Sequence, residues 1–266
     1  MRLIIQPDYN QIACWTAQYI ANRIIDAQPT EQKPFVLGLP TGSTPLGVYA
    51  KLAEMCQAKN LTFEHVVTFN MDEYVGIPKN HEQSYHTFMW NNFFSMIDIK
   101  PQNVNMLDGN ALNLEEACET YEAKIKSVGG IDLFLGGVGI DGHIAFNEPG
   151  SSLSSRTRQK SLTTDTILAN SRFFGNDSNN VPTKALTVGV ATIMDAKEVL
   201  ILASGHSKAR AVRHAVEEPI SHQWTISAIQ MHPKAILVVD EQACDELKVG
   251  TYKYFLDIEK DNITHS

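Results

Sequence analysis

Thiols, cations and long apolar runs are all sparse in this chain, and each shortage excludes something. The four cysteines, Cys14, Cys56, Cys118 and Cys244, lie far apart and form no CxxC pair, so no disulfide framework or thiolate metal site is expected. They read as small buried hydrophobes. The nine histidines contain no H-x-x-x-H pair, the usual helical zinc or iron pattern, and no metal is expected. Lysine plus arginine number 22 against 30 aspartates and glutamates, a net charge of −8. Nucleic-acid binding needs clustered cations, so a nucleic-acid partner is not expected. No apolar segment approaches the roughly 20 residues that span a bilayer. The opening MRLIIQPDYN turns polar too soon for a secretory leader. No membrane partner and a cytoplasmic location are therefore expected.

What is present suits a packed core. Of the 266 residues, 43% are hydrophobic and 20% charged, the balance of a globular chain with one large α/β domain or two small ones. Short apolar runs recur at 3–5, 35–39, 65–69, 131–135, 186–190, 199–203 and 235–239. Several are apolar at consecutive positions, which suits strands covered on both faces of a parallel sheet. Helical patterns lie between them. Asp8 is placed to cap a helix with Ile12, Trp15, Tyr19 and Ile20 on one face. Further helices are expected over 45–58 and over 114–127, the latter with Leu114, Cys118, Tyr121 and Ile125 in one stripe. The alternation predicts a single doubly wound α/β domain over 1–266, Rossmann-like, with a mostly parallel sheet of about seven strands. The polar stretch 151–183 lacks a strong period and reads as a mobile excursion.

Four loops leave predicted strands carrying chemistry. The stretch 131–150, IDLFLGGVGIDGHIAFNEPG, runs from a buried strand into glycines and then Asp141, His143 and Glu148. A carboxylate that orients an imidazole is an acid–base arrangement, and Asp141 or Glu148 could serve as that carboxylate. The alternative is a solvated glycine turn. The loop 38–45, GLPTGSTP, sits between a strand and a helix, with Thr44 expected as N-cap and Pro45 in the first helical position. Free N–H groups beside the Thr41, Ser43 and Thr44 hydroxyls make an anion site. It is neither a Walker A loop nor a GxGxxG fingerprint. The loop 203–209, ASGHSKA, repeats the design and adds Lys208. Two such loops in one parallel sheet converge on one crevice and suggest a phosphorylated metabolite. Finally, 68–77, TFNMDEYVGI, carries Asp72 and Glu73 out of a strand end. A partly desolvated carboxylate there has a raised pKa and can act as a base.

Together GLPTGSTP, TFNMDEYVG, GGVGIDGHIAFNEPGSS and SRTRQKSL resemble the glucosamine-6-phosphate deaminase family, in order and at family-like spacing from Met1 to Lys253-Tyr254-Phe255. The resemblance implies conversion of glucosamine 6-phosphate and water to fructose 6-phosphate and ammonia in amino-sugar catabolism, without organic cofactor or metal. It assigns Asp72 the proton transfer between the second and first sugar carbons, and His143 the opening of the pyranose ring, supported by Asp141 and Glu148. It places the phosphate on Thr41, Gly42, Ser43 and Thr44 with Arg172 and Lys208, Arg172 lying in an active-site lid over about 160–185. Hexameric members carry a second site at subunit contacts for the activator N-acetylglucosamine 6-phosphate. The matching positions are Ser151, Arg158, Lys160, Ser161 and Tyr254, so a homohexamer is implied. Position 161 is serine where threonine is expected, and the hydroxyl is kept. The competing expectations are a 6-phosphogluconolactonase-like hydrolase, which shares the fold and phosphate loop, and a non-catalytic sugar-phosphate sensor. The first lacks the Asp72 loop combined with Asp141, His143 and Glu148. The second requires a DNA-binding helix pair, for which the chain has neither spare length nor basic charge.

Overall fold

Consecutive apolar residues in the strands are explained by a sheet buried on both faces. A computed structural model describes residues 1–263. Its strands are β1 (Arg2–Gln6), β2 (Phe35–Leu39), β3 (Val66–Asn70), β4 (Asp72–Tyr74), β5 (Val104–Asn105), β6 (Leu133–Gly137), β7 (Arg158–Ser161), β8 (Lys184–Thr187), β9 (Glu198–Ala203) and β10 (Ala235–Asp240). The helices are α1 (Tyr9–Ala27), α2 (Leu46–Gln57), α3 (Tyr85–Asn92), α4 (Leu114–Ser127), α5 (Thr164–Asn170), α6 (Val190–Met194), α7 (Ala209–Val216) and α8 (Val249–Ile258). Seven strands form a parallel sheet in the order β1-β10-β9-β6-β2-β3-β5. Along β9, Val199 and Ile201 join one apolar cluster, with Tyr121 and Ile125 of α4 and Val212 of α7. Leu200 and Leu202 join the other, with Ile12 and Ile20 of α1 and Leu52 of α2. The period of two along a strand thus feeds two cores.

Local signals account for the helices. Asp8 caps α1, its Oδ1 accepting from Gln11 N at 2.9 Å. Asn113 caps α4, which has Glu115 and Glu116 in its first turn and Lys124 and Lys126 in its last, each favourable to the helix dipole. Thr44, expected as the cap of α2, is not one. Pro45 occupies the cap position and no side chain accepts there, because the chain turns one residue later than the Thr-Pro pair suggests.

Two expectations are corrected. The run 186–190 is not a strand of the main sheet. Its first half belongs to β8, in an antiparallel sheet of order β4-β8-β7, and Val190 opens α6. Leu186 and Val188 face the main core while Ala185 faces a third apolar cluster, so burial on two sides mimicked a central strand. The main sheet's seventh member is β5, two residues long and too short to leave an apolar run. The excursion 151–183 is also not irregular. It contains β7, α5 and two single-turn helices, seated through Leu162, Phe174 and Val181 on Tyr74 and Phe146. Among the described residues, no helix is long and apolar enough to cross a membrane.

Strand order fixes where a ligand can sit. From β2 the chain passes through α2 to β3 on one side, whereas from β6 it passes through the excursion to β9 on the other. β2 and β6 are neighbours, with Leu37 opposite Leu133 and Gly38 opposite Phe134. Their carboxyl ends therefore flank the topological switch point, the usual crevice of an open α/β sheet.

Candidate active site

The loop after β2 forms one wall of this crevice. Gly42 has φ +94°, a conformation that side chains with a Cβ rarely adopt, and open space where a Cβ would stand. Among the described residues, the N–H groups of Gly42, Ser43 and Thr44 donate to no protein acceptor. Tyr9 pins the loop from behind: its hydroxyl donates to Thr44 O at 2.9 Å and accepts from Gly47 N at 2.9 Å. Free amides held rigidly at a strand end favour an anion.

The loop after β6 forms the opposite wall. His143 Nδ1 lies 2.7 Å from Asp141 Oδ1 and 3.7 Å from Glu148 Oε2, so Asp141 is the nearer partner. Burial pushes the Asp141 pKa up, but contact with His143 and its charge outweigh this and hold it below the ordinary value. Glu148 is buried and divides its oxygens. Oε1 accepts from Thr166 Oγ1 at 2.7 Å and from Thr163 Oγ1 at 3.3 Å, while Oε2 has no hydrogen-bond partner. Close backbone approach makes this geometry possible. A Cβ on Gly139 would stand 2.4 Å from His143 Cε1 and 2.7 Å from Asp141 Oδ1. Gly142 has φ +78° and lies against Trp224.

Asp72 enters from β3 through Met71. It opens β4, is 5% exposed, and its Oδ1 makes no hydrogen bond. Burial, and then the charge of Glu73, raise its pKa well above the ordinary carboxylate range. That is the state of a poised base. Glu73 itself is fixed at the start of α3, accepting from Tyr74 N at 2.9 Å, Tyr85 N at 3.0 Å and His86 N at 2.9 Å.

The two expected cations lie within electrostatic reach of one another. Lys208 ends the turn after β9. Burial lowers its pKa, with the like charge of Arg172 adding to this and Asp141 opposing it. Lys208 therefore lies within electrostatic reach of both Arg172 and Asp141. In the loop before it the His206 and Ser207 N–H groups donate to no protein acceptor among the described residues, whereas other donors are taken. Asp240 accepts from Gly205 N at 2.9 Å, Ser204 Oγ at 2.5 Å and Ala243 N at 2.9 Å, consuming those donors.

The second group of predicted residues is only partly assembled. Ser151 is buried with an unpartnered Oγ. Arg158 donates to Asn147 Oδ1 at 2.9 Å, one residue before Glu148. Arg158 and Lys160 alternate along β7, opposite Thr187 and Ala185, and Ser161 follows, opposite Lys184. Thr187 is also opposite Asp72, so the two segments share one register position. Tyr254 stays apart, 58% exposed on α8 with its ring against Phe255. It makes no hydrogen bond or ring contact with the other four among the described residues.

Sequence reasoning missed Thr163, Thr166 and Asn147. Their hydroxyls and amide gain meaning only when the excursion folds back on the loop after β6. The groups present suit acid–base chemistry: a buried carboxylate with an unpaired oxygen and an imidazole–carboxylate pair, with free amides at a neighbouring strand end.

Comparison with known proteins agrees with that chemistry. A family described as glucosamine-6-phosphate isomerases/6-phosphogluconolactonase matches residues 7–238. A glucosamine-6-phosphate deaminase from Parabacteroides distasonis is 65% identical over 263 residues, covering 99% of this chain and 97% of its own. One from Borrelia hermsii is 64% identical over 265 residues, covering 100% and 99%. A solved deaminase of this kind, described as monomeric, superposes with a TM-score of 0.87 at 40% identity over 91% of this chain and 98% of its own. A 6-phosphogluconolactonase from Thermotoga maritima superposes with a TM-score of 0.70 at 22% identity over 90% and 100%, a likeness of fold alone.

Proposed function

Because this chain belongs to the family of glucosamine-6-phosphate isomerases and 6-phosphogluconolactonases, we propose that its crevice performs the deaminase reaction of the family. Glucosamine 6-phosphate and water become fructose 6-phosphate and ammonia. The observation that carries this reading is Asp72, a buried carboxylate with a free oxygen just past the carboxyl end of β3, on the sheet edge from which the loop bearing His143 and its carboxylates leaves β6. An aldose–ketose shift needs such a base, and ring opening needs a separate acid–base group.

The phosphate sits on the amides of the Thr41–Thr44 turn, with Lys208 and Arg172 supplying positive charge. His143, polarised by Asp141, moves the proton between the anomeric hydroxyl and ring oxygen, and the ring opens. Asp72 takes the proton from the second carbon, giving an enol, and returns it to the first. The nitrogen is left on a carbon at the ketone level, and water displaces it as ammonia. Burial of Asp72 and Glu148 keeps bulk water from the enol. The segment 160–185 acts as the lid, because it carries Arg172.

The activator reading is also part of this proposal. Ser151, Arg158, Lys160 and Ser161 supply two cations and two hydroxyls suited to a phosphate. Tyr254, remote within the chain, is supplied to them by a neighbouring copy, consistent with a homohexamer. The test is ammonia release from glucosamine 6-phosphate, with and without N-acetylglucosamine 6-phosphate, beside hydrolysis of 6-phosphogluconolactone. Release of ammonia without lactone hydrolysis is expected. No ammonia under either condition refutes the catalytic reading. Activation that persists unchanged in Lys160→Ala refutes the activator site alone.

A further inference from the structure

One buried hydroxyl braces the loop after β6 across the span that separates His143 from Glu148. Thr225 opens the tight helical segment Thr225–Met231 and is 1% exposed. Its Oγ1 accepts from Ile144 N at 3.2 Å and donates to Asn147 O at 2.9 Å. Ile144 directly follows His143, and Asn147 directly precedes Glu148. Beside it, Ile226 N donates to Gly142 O at 2.9 Å, so the peptide groups on both sides of His143 are held from one segment. That segment is itself anchored. The Trp224 ring that lies against Gly142 stacks on His214 with centroids 3.7 Å apart at 7°.

The turn 144–147 needs such support. Ala145 has φ +52°, a left-handed conformation that is costly for a residue with a Cβ. Ile144 O accepts from Asn147 N at 3.1 Å and Asn147 Nδ2 at 2.9 Å, bonds that shape the turn without placing it. From the side of β8, Thr187 Oγ1 accepts from Phe146 N at 3.0 Å and Val188 O accepts from Asn147 Nδ2 at 2.9 Å. Among the described residues, Thr225 is the one side chain from outside the turn that bonds the backbone at both of its ends. No hydrogen bond joins the imidazole to Glu148 Oε2 across their 3.7 Å, so that separation depends on how the backbone is held.

We propose that Thr225 is a positioning residue whose hydroxyl fixes the spacing between His143 and Glu148. It acts through the backbone of the loop and touches no reacting group. For the reaction it serves, the proposal rests on the deaminase reading.

The test compares Thr225→Val, which keeps the shape and removes the hydroxyl, with Thr225→Ser, which keeps the hydroxyl. In Thr225→Val a buried N–H and a buried carbonyl lose this partner. In ammonia release from glucosamine 6-phosphate, kcat is expected to fall about tenfold, within the ~10²-fold that a misplacement of about 1 Å can cost, while KM changes by less than about twofold. Thr225→Ser should stay within about twofold of the parent in both constants. In protein carrying carbon-13-labelled histidine, the ring Cε1–H signal of His143 is identified by its loss in His143→Gln. It should be displaced in Thr225→Val and stand at the parent position in Thr225→Ser. A lower Tm in Thr225→Val with kcat and the His143 signal unchanged assigns the hydroxyl to stability alone and overturns the proposal. A serine variant that loses as much kcat as the valine variant also overturns it. Thr225→Ala serves if Thr225→Val fails to fold, and failure of both overturns the proposal, because the hydroxyl then holds the fold rather than a spacing. A parent protein without ammonia release overturns the deaminase reading instead, and the His143 signal then decides the positioning role by itself.

Discussion

In Asp72→Asn, one buried oxygen becomes an amide nitrogen while the shape of the side chain is kept. Asp72 is 5% exposed, and burial and the neighbouring Glu73 charge both oppose its ionisation. Its charge acts on the tyrosines Tyr49, Tyr74, Tyr85 and Tyr121, and Glu73 acts on it; none of these is a cation. The fold therefore carries an electrostatic penalty at this position. Removing an uncompensated buried charge is expected to stabilise by roughly 1–3 kcal/mol. In a chain of this size each kcal/mol moves Tm by about 2–4 °C.

The pH dependence has a definite sign. In the unfolded chain an aspartate ionises near pH ~3.9, whereas the folded Asp72 holds its proton to higher pH. Below both values the carboxyl is neutral in each state, and parent and variant should be equally stable. As pH rises, the parent's unfolded state gains an ionisation that its folded state resists, so the parent falls behind until pH passes the folded pKa. The assay is calorimetric Tm at neutral and acidic pH, with kcat measured on the same preparations. Turnover should fall about 10²–10⁴-fold, the usual contribution of a general base. A variant that is less stable than the parent at neutral pH, or whose advantage persists undiminished in acid, refutes the reasoning.

Two further substitutions separate electrostatics from shape. Glu73→Gln removes the charge that helps to raise the Asp72 pKa, so the acid limb of the kcat/KM profile should move to lower pH; a limb that stays in place in a folded variant counts against it. Gly139 is in an ordinary backbone conformation, so Gly139→Ala tests contact alone. Its methyl would enter the space of the His143 ring and Asp141 carboxylate, and kcat/KM should drop by about 10²-fold with Tm nearly unchanged. Normal kinetics would show that the pair's spacing is not critical.

What could be read in the sequence follows the range of the interactions. The run at 35–39 and the stripe at 114–127 are matched by β2 and α4, and Asp8 caps its helix, because those signals are contained within a few residues. The side chains of the candidate site were legible for a related reason. Asp72, Asp141, His143 and the Thr41–Thr44 turn leave strand ends, and parallel strands bring such ends together whatever their order. The partners of these groups were not legible. Asp141 and Glu148 are equally placed in sequence to serve His143, and only the fold of the glycine loop puts Asp141 1 Å closer, at 2.7 Å against 3.7 Å. Likewise β5 contributes two residues to the main sheet, and 186–190 looks central because neighbours far away in sequence bury it. Nothing local encodes which of two buried environments a short apolar run will enter.

Glu148 shows why the excursion and the acid–base chemistry cannot be treated as separate parts. Its Oε1 is taken by Thr166, within α5, and by Thr163, which caps that helix; its Oε2 faces the His143 ring without a hydrogen bond. A carboxylate shares its charge between its two oxygens, so donors on one oxygen draw charge from the other. With both threonines in place, Oε2 is a weaker partner for the imidazole, and Asp141 dominates. If α5 shifted away, Glu148 would lose its donors while remaining buried, and its full charge would fall on His143. The position of the segment bearing Arg172 is thus expressed at the imidazole through one shared carboxylate, with no movement of the sheet required.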